Sequence, residues 1–553
     1  MVFRHSPLLF GLVILALAAG ALAVRLPRLE LRPMHGDEAN QAVRTGILLE
    51  TGQYRYDPHE FHGPTLYYAT LPALWLSGAP DFAATTEWEY RVVPVVFGAG
   101  LIVLLLLVGD WLGRGPAVLA AVLTAVSPAM VFYSRYYIQE TLLVFFTLAA
   151  IACAWRLVRS GSKAWAAGAG ASLGLAHSTK ETWVLAAAAM GIALVLTLAW
   201  NTWRGKAAAK GESAAEGGLA ASGKLAACPT WAHVLVGLAS ACAVAVALYS
   251  SFGTHWRGPI DSILAYGAYW RRGTEAGIHS HPWHFYLGLL LANRPARGLF
   301  WTEGLIVGLA GVGFLWSLLR RESSVASTSS HSPAGSFCRF LAFYTLALTA
   351  IYSAISYKTP WCMLSFLQGM ILLAGVGAWA ILRRLPGIPA KAVVLLLLAA
   401  GVAHLGRQCY WLNFRLCADQ RNPYVYAHTS TDVLNLASQM ERLAQVSPER
   451  HDMVIHVVAP ENYWPLPWYL RQFNPDRVGY WQDATAWAND AGRGPPPSVI
   501  LLTQDVRPAI DARLPDAYNQ QMLYGLRPGV FVSVYVRATL WREFLAAAAG
   551  RST

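Results

Sequence analysis

The sequence predicts a polytopic α-helical membrane protein of about eleven transmembrane helices plus interfacial helices, ending in a C-terminal extracytoplasmic α/β domain. Three observations predict it. Apolar runs of membrane length recur across roughly the first 405 residues, and about 17 to 25 such residues are what a helix needs to cross the hydrocarbon core. The chain is 55% hydrophobic and only 13% charged, with a mean hydropathy of +0.37, whereas a soluble domain carries about 25% charged residues. After residue 408 the long runs stop and short strand-like and helix-like patterns replace them.

The elements follow in order. Arg4 and His5 precede an apolar run over 7–24, and with no convincing small-residue cleavage site behind it this run is read as a retained first span rather than a signal peptide. Further spans are expected at 91–109, 116–133, 141–158, 164–178, 182–200, 231–251, 299–319, 340–356, 361–380 and 391–407. The run 65–77 is too short to cross. Charge decides its role. If it stays out of the count and the N-terminus is cytoplasmic, the loops holding Arg156, Arg159 and Lys163, then Arg204, Lys206, Lys210 and Lys224, then Arg320, Arg321 and Arg339, then Arg383, Arg384 and Lys391 all fall inside. Positive-inside bias selects that topology, so 65–77 is expected to lie at, or dip into, the outer interface. Two domains result: a membrane domain over 1–408, with a first outer loop at 25–90 and a large outer loop at 253–298, and an α/β domain over 409–553. In the latter, 451–459, 498–503 and 531–538 read as strands and 430–446 as a helix capped by Thr431 or Ser430. The stretches 205–229 and 322–337 read as flexible cytoplasmic connectors.

The same composition excludes several function classes. The net charge of +12 sits largely in short inter-span loops, where topology explains it, so nucleic acid is not a partner. The seven cysteines are scattered without metal-knuckle, iron–sulfur or disulfide spacing. No Gly-x-x-x-x-Gly-Lys-Ser/Thr loop is present to drive ATP-dependent export.

In the expected topology, polar clusters from six distant stretches meet at one extracytoplasmic interface: Asp37 and Glu38, His62, Arg135 and Glu140, Lys180 and Glu181, the histidines of 255–284, and Lys358. Asp37 and Glu38 are the catalytic candidates. A carboxylate there can take a proton from an acceptor hydroxyl, orient it or hold a divalent metal; the plainer reading is a helix-start carboxylate in a solvated loop. Arg135, set among Tyr133, Tyr136 and Tyr137, suits a phosphate with an apolar tail, or else pairs with Glu140. Lys180 and Glu181, in a very short connection, either face a lipid phosphate or pair across the interface, with His177 close enough to contribute. His62, with Asp57, His59 and Glu60 nearby, opens the 65–77 segment; Asp37, Glu60 and His62 are the candidates for a divalent metal cation, the one cofactor considered. Arg257 and His279, among the cations, imidazoles and aromatics of 253–298, suit a phosphosugar or a plain aromatic belt, and Lys358 is a second candidate phosphate clamp.

These residues carry a resemblance. His35-Gly36-Asp37-Glu38-Ala39, the Gly63-Pro64-Thr65-Leu66-Tyr67-Tyr68 segment and Ser134-Arg135-Tyr136-Tyr137-Ile138-Gln139-Glu140 resemble the GT-C glycosyltransferase superfamily, in the branch of the protein O-mannosyltransferases and lipid A aminoarabinose transferases. His177-Ser178-Thr179-Lys180-Glu181-Thr182, Lys358-Thr359-Pro360-Trp361 and Pro465-Leu466-Pro467-Trp468-Tyr469-Leu470-Arg471 resemble more narrowly a bacterial and archaeal family associated in archaea with flippase activity. The resemblance implies a GT-C fold and transfer of a sugar, with inversion, from a polyprenyl-phosphate donor to a glycan, lipid or protein acceptor hydroxyl at the outer face of the inner (plasma) membrane. It implies Asp37 at the essential first-loop aspartate, Glu140 at a second-loop acidic position, and Lys180 and Arg135 at donor-phosphate contacts. One departure stands out: relatives carry a Lys before the Pro-Pro-Leu-Tyr-Tyr segment where this chain has His62. The rival readings are a lipid-linked sugar flippase or its accessory, and a non-catalytic scaffold among glycan-assembly proteins.

Overall fold

The computed structural model describes residues 6–59, 62–212, 230–274, 279–296, 299–320, 333–460, 463–491, 494–514 and 517–549. α1 (Pro7–Arg25) is a first apolar helix. α2 (Gly36–Thr51) and α3 (Thr65–Ser77) fill the loop behind it, and α4 (Glu87–Val103) runs on through Leu104 into α5 (Leu105–Leu112). α6 (Arg114–Val126) and α7 (Pro128–Ser134) form one bent path. The long helices α8 (Glu140–Ser160), α9 (Lys163–His177), α10 (Trp183–Glu212) and α11 (Trp231–Tyr249) follow, then α12 (Gly258–Thr274), α13 (Phe285–Leu291), α14 (Gly304–Leu319), α15 (Pro333–Ala354), α16 (Leu364–Arg384) and α17 (Ile388–Tyr410).

Among the described residues, eight helices are long and apolar enough to cross a membrane, or nine when α6 and α7 count as one span, so the protein is multi-pass. All eleven expected spans are helical, but α9 has 15 residues and α14 has 16. At 1.5 Å per residue neither covers a hydrocarbon core of about 30 Å. α14 starts late because residues 299–303 are diverted: Asn293 and Trp301 exchange backbone hydrogen bonds of 3.0 and 2.9 Å. Segment 65–77 forms a 13-residue helix, too short to cross. The expected connectors at 205–229 and 322–337 lie largely outside the described residues.

α6 and α7 meet at 60°. Pro128 has no N–H, so the break at Ser127 frees carbonyls on one side and amides on the other, and a membrane interior offers no water to satisfy them. Two buried charged side chains do so instead. Arg25, at the end of α1, donates to the carbonyls of Thr124 (2.8 Å) and Ala125 (3.3 Å). Glu303, before α14, accepts from the Ala129 amide (2.8 Å) and the Ser127 hydroxyl (2.5 Å). Elsewhere small residues allow close helix contact: a Cβ on Gly313 would strike the Leu373 carbonyl, and one on Gly377 the Leu309 carbonyl, so α14 and α16 pack backbone to backbone. α11 and α17 expose Leu235, Leu238, Val393, Leu395, Leu396 and Leu397, an apolar surface suited to lipid.

Beyond residue 410 a five-stranded sheet forms from β1 (Ile455–Val458), β2 (Val478–Trp481), β3 (Val499–Thr503), β4 (Tyr518–Arg527) and β5 (Val530–Arg537), in the order β2-β1-β3-β5-β4. β1 runs parallel to β2 and β3; β5 is antiparallel to β3 and β4. Period-two alternation sends Ile455 and Val457 toward α18 (Asp432–Val446) and α22 (Ala538–Ala549), and Val458 toward α20 (Ala484–Ala491) and α21 (Arg507–Asp511). The three expected strands and the expected helix are present, the first strand shortened because Arg450–Asp452 makes a 3₁₀ turn. Ser430 supplies the cap contact, its hydroxyl accepting from the Asp432 amide at 3.2 Å, while Thr431 occupies the N-cap position without a side-chain bond.

The motif over 465–471, which contains α19 (Leu466–Tyr469), docks this unit on the membrane helices. Trp468 is fully buried between Phe82 and Tyr90 and donates to Glu87 at 3.1 Å. The Tyr469 hydroxyl accepts from the Met34 amide (2.9 Å), and Arg471 donates to the Thr85 carbonyl (2.7 Å). These contacts make the motif a packing edge against the membrane helices.

Candidate functional site

α2 begins with a capping box in which the His35 ring and the Glu38 carboxylate each cap the helix start. That box aims two adjacent carboxylates apart. Glu38 is fully buried. It meets Arg91 in a fork (2.8 and 2.7 Å), takes a third contact from Arg32 (3.3 Å), and accepts the amides of His35 (3.1 Å) and Tyr137 (2.8 Å). Burial alone would raise its pKa; the two guanidiniums and these hydrogen bonds overcome that and hold the carboxyl well below the usual range. This corrects the expectation that Glu38 shares the catalytic work, because a carboxylate so enclosed has no face left for an acceptor. Asp37 has the opposite setting. Its side chain is 52% exposed, and the nearest basic nitrogen is His35 Nδ1 at 3.8 Å. That nitrogen accepts the Asp37 amide (3.0 Å), and His35 Nε2 faces the Tyr426 carbonyl (3.1 Å). A carbonyl only accepts, so the proton sits on Nε2 and the ring is neutral.

Arg135 and Glu140 do not pair with each other. Arg135 donates to the carbonyls of Arg25, Pro27 (2.8 Å) and Arg28 (3.0 Å), capping the end of α1, and lies 4.6 Å over the Phe414 ring. Three of its five N–H donors are thus taken by main chain. Glu140 forms a buried ion pair with Lys180. Burial works against the Lys180 charge, but Glu140 more than offsets it and holds the amine above its ordinary range. Glu181 takes His62 Nδ1 (2.8 Å) and the Tyr56 hydroxyl (3.0 Å); burial opposes its charge, and His62 with these bonds still holds it below the ordinary value. Gly63 makes that meeting possible, since a Cβ there would strike the Ser178 carbonyl, which takes the Thr65 amide at 2.9 Å. His177 bonds the Tyr266 hydroxyl (2.9 Å). Arg257, just before α12, pairs with Asp261 in its first turn (3.3 Å) and is otherwise exposed.

Two further stretches close over Asp37. Ser280 and Tyr357 form an antiparallel bridge, with the Lys358 amide on the His279 carbonyl (2.9 Å) and Lys358 Nζ on the carbonyls of His281 (3.0 Å) and Ile355. The charge of Asp37 reaches both His279 and Tyr357. Residues 422–429, between α17 and the sheet, then run as a strap through the same place. The Tyr426 hydroxyl lies between His279 Nδ1 (2.8 Å) and His281 Nε2 (3.1 Å), Thr429 donates to the Met34 carbonyl (2.7 Å), and the Tyr424 hydroxyl donates to Glu303 (2.7 Å).

The structure thus places His279 and Lys358 beside Asp37, and pairs His62 with Glu181 and Lys180 with Glu140 in the short connections nearby. Sequence reasoning missed Arg32, Arg91, Tyr426 and His428. Arg91 was visible only as the first residue of an expected span, and 422–429 only as part of the 409–553 domain. Of the metal candidates, His62 is held by Glu181 and by Tyr269 (2.9 Å), Asp37 sits against His35, and Glu60 lies outside the described residues. Among the described residues no three His, Cys, Asp or Glu side chains group to hold a metal ion.

Residues 68–255 match the family model of dolichyl-phosphate-mannose-protein mannosyltransferase. The structure is similar to that of ArnT from Cupriavidus metallidurans bound to undecaprenyl phosphate, with a TM-score of 0.63, 17% identity and coverage of 94% of this chain and 97% of that one. The apo state of the same ArnT gives a TM-score of 0.62 at 17% identity, over 95% and 98% of the two chains. An Archaeoglobus fulgidus oligosaccharyltransferase tethered to an acceptor peptide gives a TM-score of 0.52 at 12% identity, over 90% of this chain and 69% of that one. No curated protein sequence matches the chain. At these identities the likeness establishes a shared fold, the GT-C fold that the motifs implied.

Proposed function

We propose that this chain is a glycosyltransferase that moves a sugar from a polyprenyl-phosphate donor to an acceptor hydroxyl on the extracytoplasmic face of the inner membrane. One observation carries the reading. Glu38, Glu140 and Glu181 are each buried and paired, while Asp37 alone among these clustered carboxylates is exposed and, among the described residues, pairs with no lysine or arginine. The acceptor oxygen attacks the anomeric carbon from the face opposite the phosphate. The carbon–phosphate-oxygen bond breaks, the polyprenyl phosphate leaves with the bonding pair, and the acceptor proton passes to Asp37. Configuration inverts. An ordinary aspartate is a weak base, so orientation of the acceptor and charge stabilisation share the work. Positive charge is in excess here, with Arg32 and Arg91 sharing the one Glu38 carboxylate, and that favours an anionic donor. Lys180 and Lys358 border the same cluster. The family model over 68–255 and the ArnT-like fold support the same donor class.

The placement of the basic loops supports a cytoplasmic N-terminus with the site outside. Acceptors considered are glycans, lipids and proteins, and the narrower flippase-associated family remains the finer assignment we favour on the 177–182, 358–361 and 465–471 motifs. The test incubates the purified protein and its Asp37→Asn variant with a panel of polyprenyl-phosphate sugars and membrane extract, followed by mass spectrometry. Donor loss and a glycosylated product with the wild type only is the expected result. Equal turnover by the variant would remove Asp37 from the reaction, and donor movement without chemistry would favour flipping.

A further inference from the structure

Beside the strap lie three buried polar atoms that have no partner among the described residues. His428 is 3% exposed, and its Nδ1 accepts the Tyr426 amide at 2.9 Å, so its proton rides on Nε2, which meets nothing. Tyr136 is fully buried and its hydroxyl also lacks a partner. Arg32 stacks 4.3 Å over the Tyr136 ring, and its Nε is the third. The His428 and Tyr136 rings lie 5.4 Å apart, His35 is 5.2 Å from the first and 5.5 Å from the second, and Trp361 stacks on Tyr136 at 6.1 Å. Native interiors seldom leave buried donors unmatched, and such a group asks for an oxygen that is not part of the chain. Nε2–H and Nε–H can only donate, and a tyrosine hydroxyl can donate as well, so the oxygen they suit is an acceptor carrying lone pairs.

We propose that His428 and Tyr136, with Arg32 behind them, form a subsite for one oxygen of the lipid-linked donor, a sugar hydroxyl or a phosphate oxygen, and that the strap over 422–429 builds this subsite by delivering His428. The inference rests on the transferase reading. It makes the segment leading into the C-terminal α/β unit part of the donor site. His35 then acts as a positioning residue: its neutral ring ties the Tyr426 carbonyl to the start of α2 and so fixes the strap beside Asp37.

The test uses the full-length protein and two substitutions. Tyr136→Phe removes only the unpartnered hydroxyl. His428→Asn keeps an acceptor for the Tyr426 amide and removes the Nε2 donor. Equilibrium binding is measured for undecaprenyl phosphate and for undecaprenyl-phosphate mannose, and thermal midpoints are recorded beside it. Tyr136→Phe is expected to keep or raise the midpoint, because deleting an unmatched buried hydroxyl relieves a desolvation penalty. Each substitution is expected to weaken binding about tenfold, the size of one hydrogen bond to a ligand. Weakening confined to the mannosyl lipid assigns a sugar hydroxyl; weakening of both lipids assigns a phosphate oxygen. Unchanged affinity for both lipids, with a wild type that binds, overturns the subsite and leaves the transferase reading standing. A wild type that binds neither lipid overturns the transferase reading and the subsite with it.

Discussion

Asp37 and Glu38 are neighbours with the same functional group, yet the first turn of α2 gives them opposite environments. Glu38 is the shared counter-charge of two buried guanidiniums. Glu38→Gln leaves Arg32 and Arg91 short of their counter-charge, and breaking a buried pair in this way costs about 3–5 kcal/mol. A fall in the thermal midpoint is expected for Glu38→Gln and none beyond about 0.5 kcal/mol for the exposed Asp37→Asn; similar midpoints for the two would mean that Glu38 is not an anchor. Legibility in the sequence follows the same line. Lys180, Glu181 and His62 could be picked out because charge or imidazole beside apolar runs is costly unless used. Which partner each takes could not, since Arg91 reaches Glu38 across 53 positions and Lys180 reaches Glu140 across 40. Local pattern carries the presence of a charge, and only the folded chain carries its pairing.

Among the elements, the helices were read well because their signal is their own length and hydropathy. The strap was not, because it has no regular structure and its residues matter only through what they touch. β2 and β4 were missed for a related reason: Val-Gly-Tyr-Trp and Tyr-Asn-Gln-Gln-Met lack the concentration of β-branched apolar residues found in β1, β3 and β5. The strap also has a pH signature. Burial first, and then neighbouring charges, lower the pKa values of His279, His281 and His428 in the folded protein, although Asp37 pulls His279 partly back. The unfolded chain therefore binds more protons than the folded one below the ordinary histidine value of about 6.5. The contribution of these contacts is fully present above that value and is lost as pH falls through the folded values. Thermal midpoints are expected to drop between about pH 7.5 and about pH 5.5, and His428→Asn is expected to shrink that drop. An undiminished drop in the variant would remove His428 from the effect.

At the scale of the molecule, the sequence supplied a multi-pass helical protein with an α/β unit at its end. It overcounted the helices long enough to cross, since α9 and α14 fall short. The topology turns on α3. If α3 lies at the outer interface, a cysteine at Ser77 in a background cleared of the seven native cysteines is labelled by an impermeant reagent in intact cells. Labelling only after permeabilisation would invert the assignment. Ser77 is the better position than Gly78, whose φ of +73° disfavours any side chain. The docked edge over 465–471 then holds the α/β unit against α2 and α4, with Trp468 as its buried anchor.

The strap follows every membrane helix in the chain, so it emerges only after all of them during synthesis. Asp37, near the N-terminus, is in place early, but its cover waits for residues 422–429 to be delivered across the bilayer and seated on Met34, His35 and His279. Assembly order therefore acts as a safeguard: a nascent chain, or one cut short by a nonsense codon before residue 422, exposes its carboxylate without the groups proposed to hold the donor beside it.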